Sequence, residues 1–502
     1  MSTAAAAGPQ DTDNRRPHSA SQSVGLDHRM ILAALGALFL VRLLFIFWLP
    51  FTDTTEARYA EIARKMVETN NWITPQFDYG VPFWGKPPLH TWLSAIGMKL
   101  FGVGPFGARA LIFVSALGVL TTVYAWAQLK ADRTVALVAV LVCATSVMFF
   151  GASAFVMTDI PMVLGTTLSM AGFFVAATTT APNRLWGYLF FVGLAVGMLA
   201  KGPTAIVLTG IPIFLWLLIG NRWYHLARLP WVGGLILAFL LTTPWYAAAE
   251  ISTPGFLRYF IFGEHFERFL VPGWQGDLYG SGHKQPKGMI WLFAMGVFLP
   301  WSVFMVAQCA RAKAAMSAMP TANDGRISYL LLWAVSPMLL FTPAANILPA
   351  YVLPAVPAFS FLVATVVVSS VRSGSRATFY GFWTCVMVSV VFFATVTALS
   401  RISPETLGAR TMKGLVEEIR LQAPQASIST FPGRIYSAEF YTRGGASAVS
   451  TVDQLDALKS DSKSDAVIVA NSALDAARDM LGDAFSEIGT YRNHTVLLEV
   501  SR

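Results

Sequence analysis

Carboxylates and cations gather in this chain at the few places where its apolar runs break. Asp53 and Glu56 open the segment Asp53-Thr54-Thr55-Glu56-Ala57-Arg58-Tyr59-Ala60-Glu61, and Lys86 follows in Phe83-Trp84-Gly85-Lys86-Pro87-Pro88. Asp159 lies in Val156-Met157-Thr158-Asp159-Ile160-Pro161 and Lys201 in Lys201-Gly202-Pro203. Glu264, His265, Glu267, Arg268 and His283 share a later polar stretch. Such a set suits a reaction between amphiphiles that carry phosphate. Cations stabilise a phosphate leaving group as its charge grows, and a carboxylate can take the proton of an attacking hydroxyl.

Each residue also has a plainer reading. Asp53 and Glu56 have the offset of a capping box, and Glu61 with Lys65 has the spacing of a surface ion pair. Asp159 could cap the helix that follows it, Lys201 could mark an interfacial turn, and Lys86 could snorkel. The two prolines after Lys86 fix an extended backbone, which favours an anion site at that position. The spacing of Glu264, His265 and His283 is not that of an HExxH motif, so water-facing loop residues are expected there. No cofactor is identified, and a divalent metal remains open.

The elements that must position these groups follow from composition. AVILMFWYC residues make up 55% of the 502 positions and charged residues 13%, with mean hydropathy +0.55. A water-soluble chain would carry roughly a quarter charged residues, so an integral membrane protein is expected. Three cysteines, Cys143, Cys309 and Cys385, exclude a disulfide scaffold. The net charge of +8 reads as basic cytoplasmic loops rather than nucleic-acid binding.

Apolar stretches of spanning length begin at Met30–Leu49 and recur near 106–128, 135–151, 160–179, 186–200, 204–220, 231–248, 288–309, 328–342, 349–371 and 378–399. This predicts an all-α polytopic domain of about 11–13 transmembrane helices. Arg42 sits inside the first, where it must face protein or reach the interface. With a cytoplasmic N-terminus, the even-numbered exits carry Lys130 and Arg133, Arg184, Arg222 and Arg228, Arg311, Lys313 and Arg326, and Arg372 and Arg376. All are basic, as the positive-inside rule requires. The outer side then receives loops of about 50–105 and 249–287, turns at Asp159, Lys201 and Asn346, and the tail.

Residues 1–28 read as a disordered cytoplasmic tail, 29–400 as the membrane domain and 401–502 as a small periplasmic α/β domain. In the first outer loop, Tyr59, Ile62, Ala63 and Met66 form one apolar stripe, predicting a helix flat on the membrane surface. In the tail, 414–421 reads as an amphipathic helix and 427–431, 466–470 and 495–500 as strands.

Several motifs, in order, carry a resemblance. Glu56-Ala57-Arg58-Tyr59-Ala60-Glu61-Ile62, Lys86-Pro87-Pro88, Asp159 with Pro161, Lys201-Gly202, Pro244-Trp245, the His265–Arg268–Phe269 segment, His283 with Pro286, Pro300-Trp301 and Leu348-Pro349-Ala350-Tyr351-Val352-Leu353-Pro354 run across almost the whole chain. Together they resemble the GT-C glycosyltransferases of the aminoarabinose transferase and protein O-mannosyltransferase superfamily.

The resemblance implies a GT-C fold with outer-side juxtamembrane helices. It also implies inverting transfer of a sugar from a polyprenyl-phosphate carrier to a lipid, glycolipid or other envelope acceptor at the outer face of a bacterial inner membrane, with lipid A or lipopolysaccharide modification favoured. Under it, Asp53, Glu56 and Asp159 are catalytic candidates. Arg58, Lys86, Lys201, Arg268 and Tyr351 are candidates for the donor phosphate, and Tyr59, His265 and His283 for the pocket. Two positions depart from the pattern: Thr55 stands where the family usually has Asp, and Gly85 where it often has Glu. A lipid-linked-glycan transporter or flippase, and a protein O-glycosyltransferase, are the rival readings.

Overall fold

The computed structural model describes residues 25–180, 183–280, 282–309, 325–407, 410–459 and 464–500. Most of the expected N-terminal tail, and Arg311 and Lys313 of one basic loop, lie outside the described residues. Helix α1, His28–Trp48, starts at the Asp27 cap, whose carboxylate accepts from the Arg29 N–H. Helix α2 spans Thr55–Thr69, and the hairpin β1 (Gln76–Asp78) and β2 (Val81–Pro82) leads to α3, Leu89–Phe101. Then follow α4 (Pro105–Lys130), α5 (Arg133–Thr145), α6 (Val147–Ala152), α7 (Asp159–Thr178), α8 (Arg184–Lys201), α9 (Thr204–Gly220) and α10 (Trp231–Ser252).

Among the described residues, seven helices are long and apolar enough to cross a membrane, or eight if the bent pair Met289–Val297 and Trp301–Ala307 is one span. With three shorter apolar helices they account for the eleven apolar stretches read from the sequence. The remaining apolar stretches form shorter helices, α5, α9 and Arg326–Phe341, each stopped by local chemistry. Ser146 takes the Val142 carbonyl after α5, Asn221 ends α9 in a left-handed conformation (φ 48°), and Gly325 precedes the third with φ 74°.

Helix α7 and the segment Pro349–Arg372 are the inner members, each 89% buried, whereas α1, α10 and Arg376–Ile402 are 22–28% buried and lie at the periphery. Glycines bring α7 and α8 together: a Cβ on Gly165 would lie 2.5 Å from the Gly197 nitrogen. Small residues of this kind let membrane helices approach backbone to backbone. The basic ends gather at one pole, where Lys130 donates to Thr178 Oγ1 (2.7 Å), Arg228 to the Thr179 carbonyl (2.6 Å) and Arg372 to Asp132 (2.8 Å). The start of α7 and the end of α8 lie at the other.

After Ile402 the chain forms a five-stranded sheet ordered β4-β3-β5-β7-β6. The strands are β3 (Ser427–Phe431), β4 (Ala446–Ala448), β5 (Asp465–Ala470), β6 (Phe485–Tyr491) and β7 (His494–Glu499). β3 runs parallel to β4 and β5, and β7 is antiparallel to β5 and β6. The amphipathic helix expected near 414–421 is Lys413–Gln422.

This unit changes the environment of α2. Every residue from Tyr59 to Met66 is buried, so α2 is not a helix with one wet face. Glu61 and Lys65 are not a surface pair either: Lys65 is 2% exposed and lies 3.7 Å from both Glu61 and Glu439. The C-terminal unit supplies that cover, with Arg434 bridging Asp78 and Glu439 at 2.5 Å each.

Candidate active site

A cavity of about 430 Å³ opens where α2, the loop before α3, the starts of α7 and α9, the end of α8, the 264–283 stretch and the turn at Asn346 meet. Its wall includes Arg58, Tyr59, Lys86, Asp159, Lys201, His265, Arg268, His283 and Tyr351. Nine residues expected at the site therefore converge, although they are scattered over nearly 300 positions.

Lys86 is held just ahead of Pro87 and Pro88, and α3 starts immediately after Pro88. Its ammonium donates to Glu264 Oε2 (2.6 Å) and to the Gly85 carbonyl (2.5 Å), so it is an ion-paired wall residue rather than a snorkelling one. Glu264 also accepts from Arg268 Nη1 (3.2 Å), which reaches Asp277 at 3.0 Å. Burial pushes the Glu264 carboxyl up, but Lys86 and Arg268 outweigh it and hold it below the ordinary range. The water-facing expectation therefore fails for Glu264, which the turn of π-helix Tyr259–Glu267 folds inward to 3% side-chain exposure, whereas Glu267 and His283 are exposed.

Across the cavity Lys201 Nζ donates to Asp159 Oδ1 (2.6 Å) and lies 4.7 Å from the centre of the Tyr351 ring. The close α7–α8 packing makes this pair reachable. His265 sits behind it, with Nδ1 2.7 Å from the Phe260 carbonyl and Nε2 3.2 Å from the Lys201 carbonyl. Burial pulls the His265 imidazole down, and Lys86 adds to this; burial and then Arg268 do the same to His283. Both shifts favour the neutral ring. Arg58 donates to the Tyr279 carbonyl, and the Tyr279 hydroxyl ties Pro82 and Trp84 together at 2.9 and 3.0 Å.

Two expected catalytic carboxylates are elsewhere. Glu56 points from α2 towards α4, where Arg109 grips it from Nε and Nη2 at 2.7 Å each and both side chains are buried. Asp53 accepts from the Ser437 N–H (2.9 Å) and from the Ser437 hydroxyl. No side chain caps α2, so the capping-box reading fails as well. The physical reason is register. Asp53 precedes the helix and meets the C-terminal unit, Glu56 lies on the face towards α4, and Thr54, Thr55, Arg58 and Tyr59 are the positions that reach the cavity. Burial pushes the Asp53 carboxyl up from 3.8 to about 6, against the pull of the Ser437 hydrogen bonds.

Sequence reasoning left Asp277, Tyr279, Asn346 and Tyr436 outside the site, and gave Glu264 only a loop role. All five line the cavity. Glu264 had a signal in its i,i+4 relation to Arg268, whereas Tyr436 comes from the C-terminal unit and had none. Asn346 acts as a clasp, donating to the Arg268 and Val271 carbonyls (2.7 and 2.8 Å) and accepting from the Gly273 N–H (3.2 Å). Among the described residues, no three His, Cys, Asp or Glu side chains gather as a metal site.

Comparison with known proteins agrees with this geometry. Residues 31–260 match the family model of dolichyl-phosphate-mannose-protein mannosyltransferases. The chain is 30% identical over 327 residues to the undecaprenyl phosphate-alpha-4-amino-4-deoxy-L-arabinose arabinosyl transferase of Edwardsiella ictaluri, covering 64% of this chain and 55% of that protein. The enzyme of the same name from Aeromonas salmonicida is 30% identical over 341 residues, covering 66% and 58%. The chain thus spans little more than half the length of the curated relatives it matches. The crystal structure of ArnT from Cupriavidus metallidurans bound to undecaprenyl phosphate superimposes with a TM-score of 0.77 over 95% of this chain and 99% of that one, at 17% identity. Residues 31–260 are thus similar in sequence to the protein mannosyltransferase family, about two thirds of the chain to the aminoarabinose transferases, and nearly the whole chain shares the fold of ArnT.

Proposed function

We propose that this protein transfers a sugar, with inversion, from a polyprenyl-phosphate carrier to an envelope acceptor, with lipid A phosphate the favoured one. The carrying observation is the charge of the cavity: Arg58, Lys86, Lys201 and Arg268 face Asp159, Glu264 and Asp277. Four cations against three carboxylates, with burial favouring the neutral form of both histidines, leave one uncompensated positive charge in a partly enclosed space. The phosphodiester monoanion of a polyprenyl-phosphate sugar complements it, and the charge that grows as cleavage turns the diester into a monoester is what such cations stabilise. The relatives' names specify an undecaprenyl-phosphate-linked 4-amino-4-deoxy-L-arabinose, which makes an aminopentose the first donor to test.

In this reading Lys86 and Arg268 hold the donor phosphate, with Glu264 and Asp277 fixing their head groups. Lys201, steered by Asp159, reaches the same phosphate beside Tyr351. The acceptor attacks the anomeric carbon from the opposite side, the C–O bond to the phosphate breaks, and the carrier leaves as polyprenyl phosphate. Asp53 and Glu56 are engaged outside the cavity and Thr55 cannot serve as a base, so an acceptor that is already anionic fits this wall best. For a hydroxyl acceptor, Asp159 is the carboxylate placed to take the proton.

The basic pole of the helices supports an arrangement with that pole cytoplasmic and the cavity and sheet on the outer face of a bacterial inner membrane. The test is direct. Purified full-length protein in detergent, given undecaprenyl-phosphate aminopentose and lipid A, should release undecaprenyl phosphate and add one pentose mass to lipid A. A lipid-linked substrate that is left intact while crossing a vesicle membrane would replace this reading with transport.

A further inference from the structure

Among the described residues Arg42 has no ion-pair partner of its own; it lies six residues from the end of α1, or about 9 Å of helix. It is 2% exposed, and its Nη2 donates to the Gly151 carbonyl at 2.5 Å. Its Nε and Nη1 are buried and have no partner. The guanidinium packs over the Phe150 and Phe45 rings at 4.5 and 5.0 Å. The nearest buried ion pair, Glu56 with Arg109, is already satisfied from both oxygens, so it offers Arg42 no net charge. A buried guanidinium with two idle donors is costly to maintain and demands an anion.

The space beside it is a second cavity of about 410 Å³, lined by Arg42, Asp53, Phe150, Phe393, Val396 and Arg410 among others. It shares no wall residue with the first cavity. Phe150 and Phe393 stack at 3.6 Å to form its apolar side. It opens outward along the peripheral helix Arg376–Ile402, where the wall residue Phe392 is 50% exposed beside exposed Val388 and Val391. The one carboxylate on the wall, Asp53, is occupied by Ser437. The site is therefore amphipathic, with a cationic end near the helix terminus and an apolar flank towards the bilayer.

We infer that this cavity binds one anionic phospholipid of the surrounding membrane, its phosphate accepting from the free Nε and Nη1 of Arg42, with Arg410 at the rim, and an acyl chain lying along Phe392 and Val396. The juxtaposition fits the occupant. The cavity runs from Arg42 past the end of α1 to Thr52 and Arg410, a phospholipid is always at hand along the peripheral helix, and a phosphate shared between two arginines is a strong charge-assisted contact.

Native mass spectrometry of the full-length protein, titrated with phosphatidylglycerol, tests this without any activity assay. One phosphatidylglycerol per chain should be retained, and phosphatidylcholine should bind about tenfold more weakly. Arg42→Gln should lower phosphatidylglycerol affinity by about tenfold or more, and Val396→Trp, which fills the cavity while leaving Arg42, should abolish the bound lipid. Equal binding of phosphatidylcholine, or unchanged binding in a folded Arg42→Gln or Val396→Trp protein, would overturn the inference. If Arg42→Gln does not fold, Val396→Trp decides alone. Undecaprenyl phosphate displacing phosphatidylglycerol at equal concentration would also overturn it, by making the cavity a second carrier site.

Discussion

Lys201 Nζ sits 2.6 Å from Asp159 Oδ1, joining the end of α8 to the start of α7 across 42 positions of chain. The pair exists because glycines let the two helices touch, and it aims a cation at the Tyr351 side of the cavity. Replacing Asp159 with Asn or Lys201 with Met should each lower the turnover of sugar transfer by about 10²–10³. The double variant should lose little more than either alone, because the two act as a unit. Single-turnover release of polyprenyl phosphate measures this, and fully additive losses would mean that the two act separately.

Glu56 belongs to the scaffold. Its carboxylate is held twice by Arg109, whose Nη1 also donates to the Leu49 carbonyl at 2.6 Å. Glu56→Ala leaves a buried guanidinium without its partner, which should cost about 3–5 kcal/mol. Thermal unfolding in detergent should show a large fall in Tm, while the folded fraction keeps its specific activity. A variant with normal Tm and no turnover would return Glu56 to the chemistry.

Asp53 gives a pH signature. Its carboxyl is raised from 3.8 to about 6, so the folded chain holds this proton more tightly than the unfolded one. The stability it contributes is complete below pH 3.8 and is lost as pH rises through about 6, amounting to about 3 kcal/mol. Asp53→Asn keeps an acceptor for the Ser437 N–H and cannot ionise. The Tm of wild type relative to Asp53→Asn should therefore fall between pH 5 and pH 7.5, with turnover retained in the variant. A pH-independent difference would remove the carboxyl as its source.

Orientation can be read from thiols. Cys309 is exposed and follows Gln308, which pairs with Thr378 at the basic pole (3.1 Å), while Ala448 is exposed on the C-terminal sheet. In intact spheroplasts a membrane-impermeant maleimide should label Ala448→Cys and leave Cys309 unlabelled until the membrane is opened. The reverse pattern would invert the proposed topology.

Much of the framework was legible because bilayer length and loop charge are local properties of the chain. The basic residues Lys130, Arg228 and Arg372 mark one pole in both sequence and structure, and the strands Ser427–Phe431 and Asp465–Ala470 stand where β-rich runs suggested. The motif residues Lys86, Lys201, Arg268 and Tyr351 could be gathered because they interrupt apolar segments on one side. Helix lengths were less legible, because apolarity does not reveal that Ser146 and Asn221 end helices or that Gly325 precedes one. Asp53 and Glu56 were misplaced for a non-local reason: their partners, Ser437 and Arg109, lie 384 and 53 residues away, and no spacing rule connects them. Tyr436 was missed for the same reason.

Tyr436 and Ser437 are consecutive, yet they serve different chambers: the tyrosine forms part of the charged wall of the first cavity, and the serine clasps the aspartate that borders the second. The short helix that carries them works as a wedge between two compartments. A displacement of this helix would move a wall residue of one cavity together with the hydrogen-bond partner of a wall residue of the other.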